Sequence, residues 1–190
     1  MNKILLKQKS LLIFFALLVI LPVTQASAFV MDTNMMYFSD TATLEDTTTT
    51  TRTQYDLGIG FAIRKKYLFM LSYGSFNSSD ATSTTTTFAC TNMGIRFGMY
   101  FGQGRGWYTS FDYGMKATVT YSGTSSEEYR GTSLKYDLGR LFWLGDSMAL
   151  GLKIVYYAPT FNEKVVSSTL TTVAYTRATI YPGLSLLFDF

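Results

Sequence analysis

A two-residue alternation of large apolar side chains at the end of this chain constrains its fold more than any other feature. The intervening positions are mostly polar or small. Successive side chains of a β-strand point to opposite faces, so this pattern predicts a strand with one apolar and one mostly polar face. Counting back by twos, the apolar positions are Phe190, Phe188, Leu186, Leu184 and Ile180, with Pro182 the only break.

The same alternation recurs in six further segments between residues 54 and 157, and a less regular segment lies at about 31–44. Together with the closing run they predict eight strands. Short and long connections alternate between them, which is typical of an up-and-down barrel whose two ends differ. The short connections are 64–66, 102–106 and 145–147, and the longer polar ones are 45–51, 77–84, 122–129 and 162–168.

The N-terminus carries the pattern of a secretory signal. Residues 1–10 contain three lysines and no acid, residues 11–21 are continuously apolar, and Ala26-Ser27-Ala28 has the small-x-small form of a cleavage site. An uncleaved anchor is the alternative, but the apolar run is shorter than the roughly 20 residues that a spanning helix needs. We therefore predict a signal peptide at 1–28 and one mature domain at 29–190.

Composition excludes several classes of function. The chain has 16 Lys and Arg against 13 Asp and Glu, and the excess of three equals the three signal lysines, so the mature domain is neutral and no nucleic-acid partner is expected. Histidine is absent, which removes the commonest general base and most zinc sites. Cys90 is the single cysteine, so no intrachain disulfide can form.

Alternation alone does not say which face of the barrel is apolar, because a secreted lipocalin-like carrier would turn its apolar face inward. Here the apolar parity carries more large side chains than the packed layers of a small barrel hold. The other parity is rich in glycine, which suits a crowded interior better than an exposed strand face. The apolar face is therefore predicted to point outward, into lipid. The glycines of the inward parity are Gly58, Gly60, Gly74, Gly94, Gly98, Gly114, Gly139, Gly151 and Gly183.

An export signal followed by a closing strand with outward Leu186, Phe188 and a terminal Phe190 resembles the small eight-stranded bacterial outer-membrane barrels, namely the OmpA transmembrane domain and the OmpX/Ail and OmpW types. The resemblance implies an all-β, eight-stranded, antiparallel, up-and-down transmembrane barrel in the bacterial outer membrane. It also implies that the barrel-assembly machinery reads the closing strand. One departure is Ser185, where the family usually has glycine.

Charged residues occur on the inward parity well inside the predicted strands, where they must pair or be hydrated. An eight-stranded barrel is just wide enough for side chains to fill it, which favours a plug of ion pairs over the alternative of a narrow pore. Five cations and three anions predict a small positive excess. The set comprises Asp56, Arg96, Asp112, Lys116, Lys135, Asp137, Lys153 and Arg177. Arg140 falls on the apolar parity, which predicts a bulge or the membrane boundary there.

Asp112 with Lys116, and Lys135 with Asp137, have the composition of acid–base pairs, but their spacing is ordinary for one face of a strand. No nucleophile, metal-ligand or phosphate-loop motif accompanies them. We therefore predict no enzyme activity, no cofactor and no metal site.

The expected role is structural or surface-interacting, with a minimal pore and a secreted soluble carrier as alternatives. We expect a monomer in contact with outer-membrane lipid and lipopolysaccharide, with the assembly machinery during insertion, and with an extracellular ligand through loops that carry an excess of acidic residues.

Overall fold

The computed structural model describes residues 26–42, 48–81, 85–122, 126–166 and 169–190, and these form nine β-strands. A 3₁₀ turn occupies Gln103–Arg105. No helix within the described ranges is long and apolar enough to cross a membrane. The strands are β1 (Ala26–Ala42), β2 (Thr48–Ile63), β3 (Tyr67–Ala81), β4 (Thr85–Phe101), β5 (Trp107–Ser122), β6 (Ser126–Trp143), β7 (Met148–Val166), β8 (Thr169–Thr176) and β9 (Thr179–Asp189).

The sheet closes into a ring of eight antiparallel strands. Each of β1 to β7 pairs with the next, and β9 pairs with both β7 and β1. At the seam, the Phe29 amide donates to the Phe190 carbonyl at 3.0 Å, and the Phe190 amide donates to the Phe29 carbonyl at 2.8 Å. The predicted eight-stranded up-and-down barrel is confirmed. Although β1 begins at Ala26, cleavage after Ala28 would leave Phe29 and this closing pair in place.

The connections differ between the two ends of the barrel. Residues 64–66, 102–106 and 144–147 join strands at one end, here called the turn end. At the opposite, hairpin end, the segments predicted as longer loops are mostly strand, since β2 begins at Thr48, β3 ends at Ala81 and β4 begins at Thr85. The threonine-rich segments thus extend the hairpins, because threonine is a good strand former.

The two faces of the wall divide by side-chain type as the alternation predicts. Leu71, Ile154 and Ile180 on the outer face are 71%, 62% and 71% exposed, whereas the charged side chains of Arg96, Asp112 and Asp137 on the inner face are fully buried. A carrier of the lipocalin type would show the opposite arrangement. The outer wall therefore presents a largely apolar surface.

Small inner residues leave room for large ones. A Cβ on Gly58 would lie 3.1 Å from Nη1 of Arg96, and one on Gly98 would lie 3.3 Å from the ring of Tyr108. Such distances are tighter than ordinary carbon contacts, so both glycines make space for neighbours that reach across the lumen.

The last strand of the ring is interrupted. Arg177 and Ala178 separate β8 from β9, and both strands pair with β7. The closing strand is thus preceded by an additional strand, β8, that the alternation did not predict. Pro159 of β7 lies opposite the break, where its carbonyl accepts the Arg177 amide at 3.1 Å. Because Pro159 has no N–H that could donate a hydrogen bond back to Arg177, the ladder is weakened at this point.

A second proline ends the seam between β1 and β9. Hydrogen-bonded pairs recur at every second residue from Phe29 and Phe190, and the last paired positions are Met35 and Leu184. The next hydrogen-bonded position would join Tyr37 to Pro182, which has no N–H to donate. Above this level the described residues of β1 pair only with β2, and those of β8 pair only with β7. The wall is therefore unpaired between β1 and β8.

We predict that Pro182→Ala lengthens the seam, because it restores an N–H facing β1. The Tyr37 amide should then exchange with deuterium more slowly than in the wild type, as measured by hydrogen exchange. Pro159→Ala is the matched control, since its new N–H faces Arg177 and should leave Tyr37 unchanged. Equal Tyr37 exchange in wild type and Pro182→Ala would show that the missing donor does not end the seam.

Candidate functional site in the barrel lumen

Arg96 of β4 lies at the centre of the lumen and contacts three carboxylates from three other strands. Its Nη1 is 2.9 Å from Asp32 Oδ2, its Nη2 is 2.6 Å from Asp56 Oδ1, and its Nε is 3.1 Å from Asp112 Oδ2. All four side chains are almost completely buried. The planar guanidinium holds its donors in a fixed fork, so these contacts fix the relative positions of β1, β2, β4 and β5.

Two lysines complete the network on the opposite side of the barrel. Lys153 Nζ is 3.0 Å from Asp32 Oδ2, and Lys135 Nζ forms a short ion pair with Asp56. Lys135 also lies 3.7 Å from Asp137 Oδ2. Because β6 and β7 supply these lysines, charged contacts join six of the eight strands of the ring.

Neutral donors add further hydrogen bonds to the carboxylates of the network. Since a buried carboxylate oxygen without a partner is costly, these donors stabilise the ionised network. The donors are Asn34 to Asp56 at 2.7 Å, Ser72 to Asp112 at 2.9 Å, Ser110 to Asp137 at 3.2 Å, and Tyr108 to Asp32 at 3.2 Å.

Apolar side chains lie on both sides of this charged layer. The turn-end cluster consists of Val30, Ala62, Leu68, Met70, Tyr100, Tyr108, Leu141, Ala149 and Leu187. The hairpin-end cluster consists of Met36, Phe76, Phe88, Cys90, Ala117, Val119, Val155, Tyr157, Phe161 and Tyr181. The lumen is thus ordered in three layers, apolar, charged and apolar.

Six of the eight residues predicted for the lumen lie in the charged layer, and two do not. Lys116 is exposed on the outer face, which corrects its predicted position. The register of β5 against β6 shifts between Gly114 and Ala117, and this bulge reverses the parity of the strand beyond it. For the same reason Val119, expected outside, is fully buried. Arg177 lies at the hairpin end, with Cζ 4.4 Å from the centre of the Phe88 ring.

Asp32 is a member of the network that the sequence reasoning missed. Its strand, β1, carries methionines on both parities, so the alternation there was too irregular to assign faces. The run Val30, Asp32, Asn34 and Met36 is nevertheless an inward parity, and all four are buried. The polar pair Asp32 and Asn34 at alternate positions within this run was the signal that could have identified the inward face.

The balance of charge in the charged layer is the reverse of the one expected for the predicted set. Four aspartates face three cations, because Asp32 enters the layer and Lys116 and Arg177 leave it. The surplus is visible at Asp137, whose Oδ1 is buried without a hydrogen-bond partner. A positive lumen that prefers anions is therefore not what these residues form.

The turn end of the lumen is covered by the 3₁₀ turn and its arginine. Arg105 forms a short ion pair with Asp189 of β9, and its Cζ lies 3.9 Å from the centre of the Trp143 ring. The Trp143 Nε1 donates to the Arg105 carbonyl at 3.1 Å. These contacts attach the β4–β5 connection to the penultimate residue of the chain.

Charges at the hairpin end pair with each other on the surface. Lys164 Nζ and the Tyr129 hydroxyl each lie 2.7 Å from Glu127, and Arg130 lies 2.7 Å from Glu128. The hydrogen bond from Lys164 lowers the pKa of Glu127 below its ordinary value. Exposed pairs of this kind contribute little stability, so they mainly shape the hairpin surface.

Comparison with known proteins agrees with this geometry. No family model and no curated protein matches the chain. The crystal structure of Neisserial surface protein A is similar, with 11% sequence identity, a TM-score of 0.53, and coverage of 86% of this chain and 97% of that one. The chain has the fold of the small eight-stranded outer-membrane β-barrels.

A second solved structure is similar at a lower score. The solid-state NMR structure of outer membrane protein AlkL in lipid bilayers has 11% identity and a TM-score of 0.45, and it covers 87% of this chain and 90% of that one. At 11% identity the likeness concerns the fold of the barrel and does not extend to the side chains of the lumen.

We predict that Arg96→Leu lowers the free energy of unfolding by about 3–5 kcal/mol, because three buried carboxylates lose their shared partner. Urea unfolding in lipid vesicles measures the change. Lys116→Ala is the matched control, since it removes an outward-facing charge and should change the free energy by no more than about 0.5 kcal/mol. A similar small loss in both variants would mean that Arg96 does not hold the strands together.

We also predict that Cys90 is protected from polar reagents, because it is buried with its Sγ 3.2 Å from the Tyr157 hydroxyl. A charged methanethiosulfonate should leave the folded protein unmodified and should modify it fully after denaturation, as counted by mass spectrometry. Ser147→Cys in a Cys90→Ser background is the control, since residue 147 lies in an exposed turn. Rapid modification of folded Cys90 would contradict a closely packed hairpin-end cluster.

Proposed function

We propose that this protein is a non-enzymatic barrel of the bacterial outer membrane with a structural or surface-interacting role and a lumen that does not conduct. In this proposal the turn end faces the periplasm and the hairpin end faces the outside of the cell. The short connections at one end and the extended hairpins at the other support that orientation.

The observation that carries the proposal is the continuous contact between Arg96 and its three aspartates across the lumen. A permeating ion would have to separate these groups, which are buried in surroundings of low polarity. It would also have to displace Tyr100 and Tyr108, whose ring centres lie 6.0 Å apart in the turn-end cluster. An eight-stranded barrel has no spare width for such a path.

The outer wall supports the membrane location. Its exposed large side chains are mostly apolar or aromatic, with Lys116 and Arg140 as charged exceptions. A sheet in hydrocarbon must also close so that no backbone group stays unpaired. The closed ring meets that requirement along most of the seam. The soluble-carrier alternative would require these same side chains to face water.

The closing strand supports a role in assembly. Leu186, Phe188 and Phe190 all project from the outer face, and Phe190 is 67% exposed. We propose that the barrel-assembly machinery binds this aromatic edge during insertion, as the resemblance to small outer-membrane barrels implies.

The hairpin end supports an interaction role outside the cell. Seven of the eight residues of β8 are exposed, so this strand projects from the barrel with both faces accessible. Its outward edge has no partner strand in the described part of the chain. We propose that an extracellular partner or lipopolysaccharide contacts this region.

Planar-bilayer recording tests the non-conducting lumen. We expect the purified protein to insert without single-channel steps, because the charged layer closes the barrel. Arg96→Ala combined with Tyr108→Ala removes two large inner side chains and should produce measurable steps, which shows that insertion itself is detected. Regular steps in the wild type, with an ion selectivity that changes in Lys153→Gln, would instead establish the minimal pore.

A further inference from the structure

Arg140 is a charged side chain on the lipid-facing wall that the charged layer does not use. It lies in β6 on the apolar parity, is exposed, and makes no ion pair with any residue in the described ranges. Its Cζ lies 5.2 Å from the centre of the Trp107 ring, with which it is paired across β5 and β6. No register shift occurs at Arg140, so its side chain points outward through the regular alternation of the strand. The bulge predicted as one explanation is absent at this position.

Arg140 stands at one end of an apolar groove on the outer wall. The groove has a volume of about 720 Å³ and follows a row of paired residues across five strands. The row begins at Trp107 and Arg140 near the turn end. It continues through Leu152, Leu184 and Met35, and Pro182 and Tyr37 lie beside it.

The shape of Pro182 and the break in the seam contribute to this groove. The β1–β9 ladder ends at Met35 and Leu184, so the wall loses its regular pairing where the groove continues past them. Ile154 and Leu152 on β7 are 62% and 57% exposed and form its apolar floor. The result is an elongated apolar surface with Arg140 at one end. Lys153 also lines the groove, but its side chain turns into the lumen and pairs with Asp32.

We infer that this groove binds a membrane phospholipid, with its phosphate on Arg140 and an acyl chain along the apolar row. The inference rests on the proposed membrane location and adds a specific ligand site to it. A guanidinium donates two parallel hydrogen bonds to a phosphate, and the Trp107 ring holds it in place at the interfacial level. Because Arg140 lies near the turn end, the lipid belongs to the periplasmic leaflet.

The charge of the headgroup follows from the same residues. No carboxylate in the described ranges lies within ion-pair distance of Arg140, so no neighbouring acid offsets its positive charge. A phospholipid with a net negative charge, such as phosphatidylglycerol, therefore fits the site better than phosphatidylcholine. One basic residue at a membrane surface corresponds to a preference of about fivefold.

Tryptophan quenching by brominated lipids tests the site. The chain has two tryptophans, so Trp143→Phe leaves Trp107 as the only reporter beside Arg140. The full barrel is reconstituted in bilayers that contain dibrominated phosphatidylglycerol or dibrominated phosphatidylcholine. We expect the brominated phosphatidylglycerol to quench Trp107 at about fivefold lower mole fraction.

Two variants distinguish lipid binding at Arg140 from a general attraction of anionic lipid to the exposed cations of the turn end. Arg140→Gln should bring the ratio of the two quenching constants to about one, since it removes only the proposed phosphate ligand. Arg64→Gln removes an exposed charge from the β2–β3 turn at the same end and should retain the preference. Native mass spectrometry of the wild type, counting retained lipids, gives the same comparison without the Trp143 substitution.

The outcomes distinguish the two proposals. Equal quenching of the inserted parent barrel by both lipids, or an unchanged preference in Arg140→Gln, would overturn the lipid site and leave the barrel proposal intact. If Arg64→Gln also lost the preference for phosphatidylglycerol, the preference would come from the overall charge of the turn end. That result would overturn the site as well. A protein that does not insert into bilayers at all would contradict the proposed membrane location itself.

Discussion

The contact of Arg96 with three aspartates is the interaction on which the rest of the barrel interior depends. A guanidinium removed from water is costly, and each carboxylate beside it is costly too, unless all of them are paired in good geometry. Here the pairs come from different strands, so the cost is offset only when β1, β2, β4 and β5 are all in register. A slip of one residue in any of them would turn its aspartate or arginine to the apolar outer face. The charged layer therefore selects one register for the ring.

The strand pairing of the wall is interrupted between β1 and β8, and this interruption has a chemical cause. Beyond residue 28 the chain contains two prolines, and both lie where the last strand of the ring loses a neighbour. Pro159 faces the break between β8 and β9, and Pro182 faces the end of the seam with β1. Each removes one N–H from the ladder, so the backbone hydrogen bond that this group would have donated is missing. The unpaired region between β1 and β8 follows from these two positions.

Much of the architecture could be predicted from alternation alone, because an apolar outer wall and a crowded inner face impose opposite demands on neighbouring residues. The inward positions of Asp56, Arg96 and Lys153 follow from parity within regular strands. Parity failed in β5, because the bulge at Gly114–Ala117 depends on a register shift against β6 that leaves no local mark in the sequence. Lys116 and Val119 exchanged faces for that reason.

Other features depended on contacts between distant residues. Asp32 could not be assigned because methionines fill both faces of its strand, and methionine is apolar without being restricted to one environment. The extra strand β8 has seven exposed residues out of eight, so it carries no apolar face that a sequence pattern could reveal. The pairing of four acids with three bases likewise appears only when the ring is closed.

The ion pair between Arg105 and Asp189 links the cover of the turn end to the closure of the ring. It joins a connection in the middle of the chain to the second-last residue, beside the backbone hydrogen bonds between Phe29 and Phe190. Loss of the final two residues would remove this side-chain tie and the terminal hydrogen bonds together. The cover of the lumen at the turn end and the first hydrogen bonds of the seam thus depend on two adjacent residues, Asp189 and Phe190.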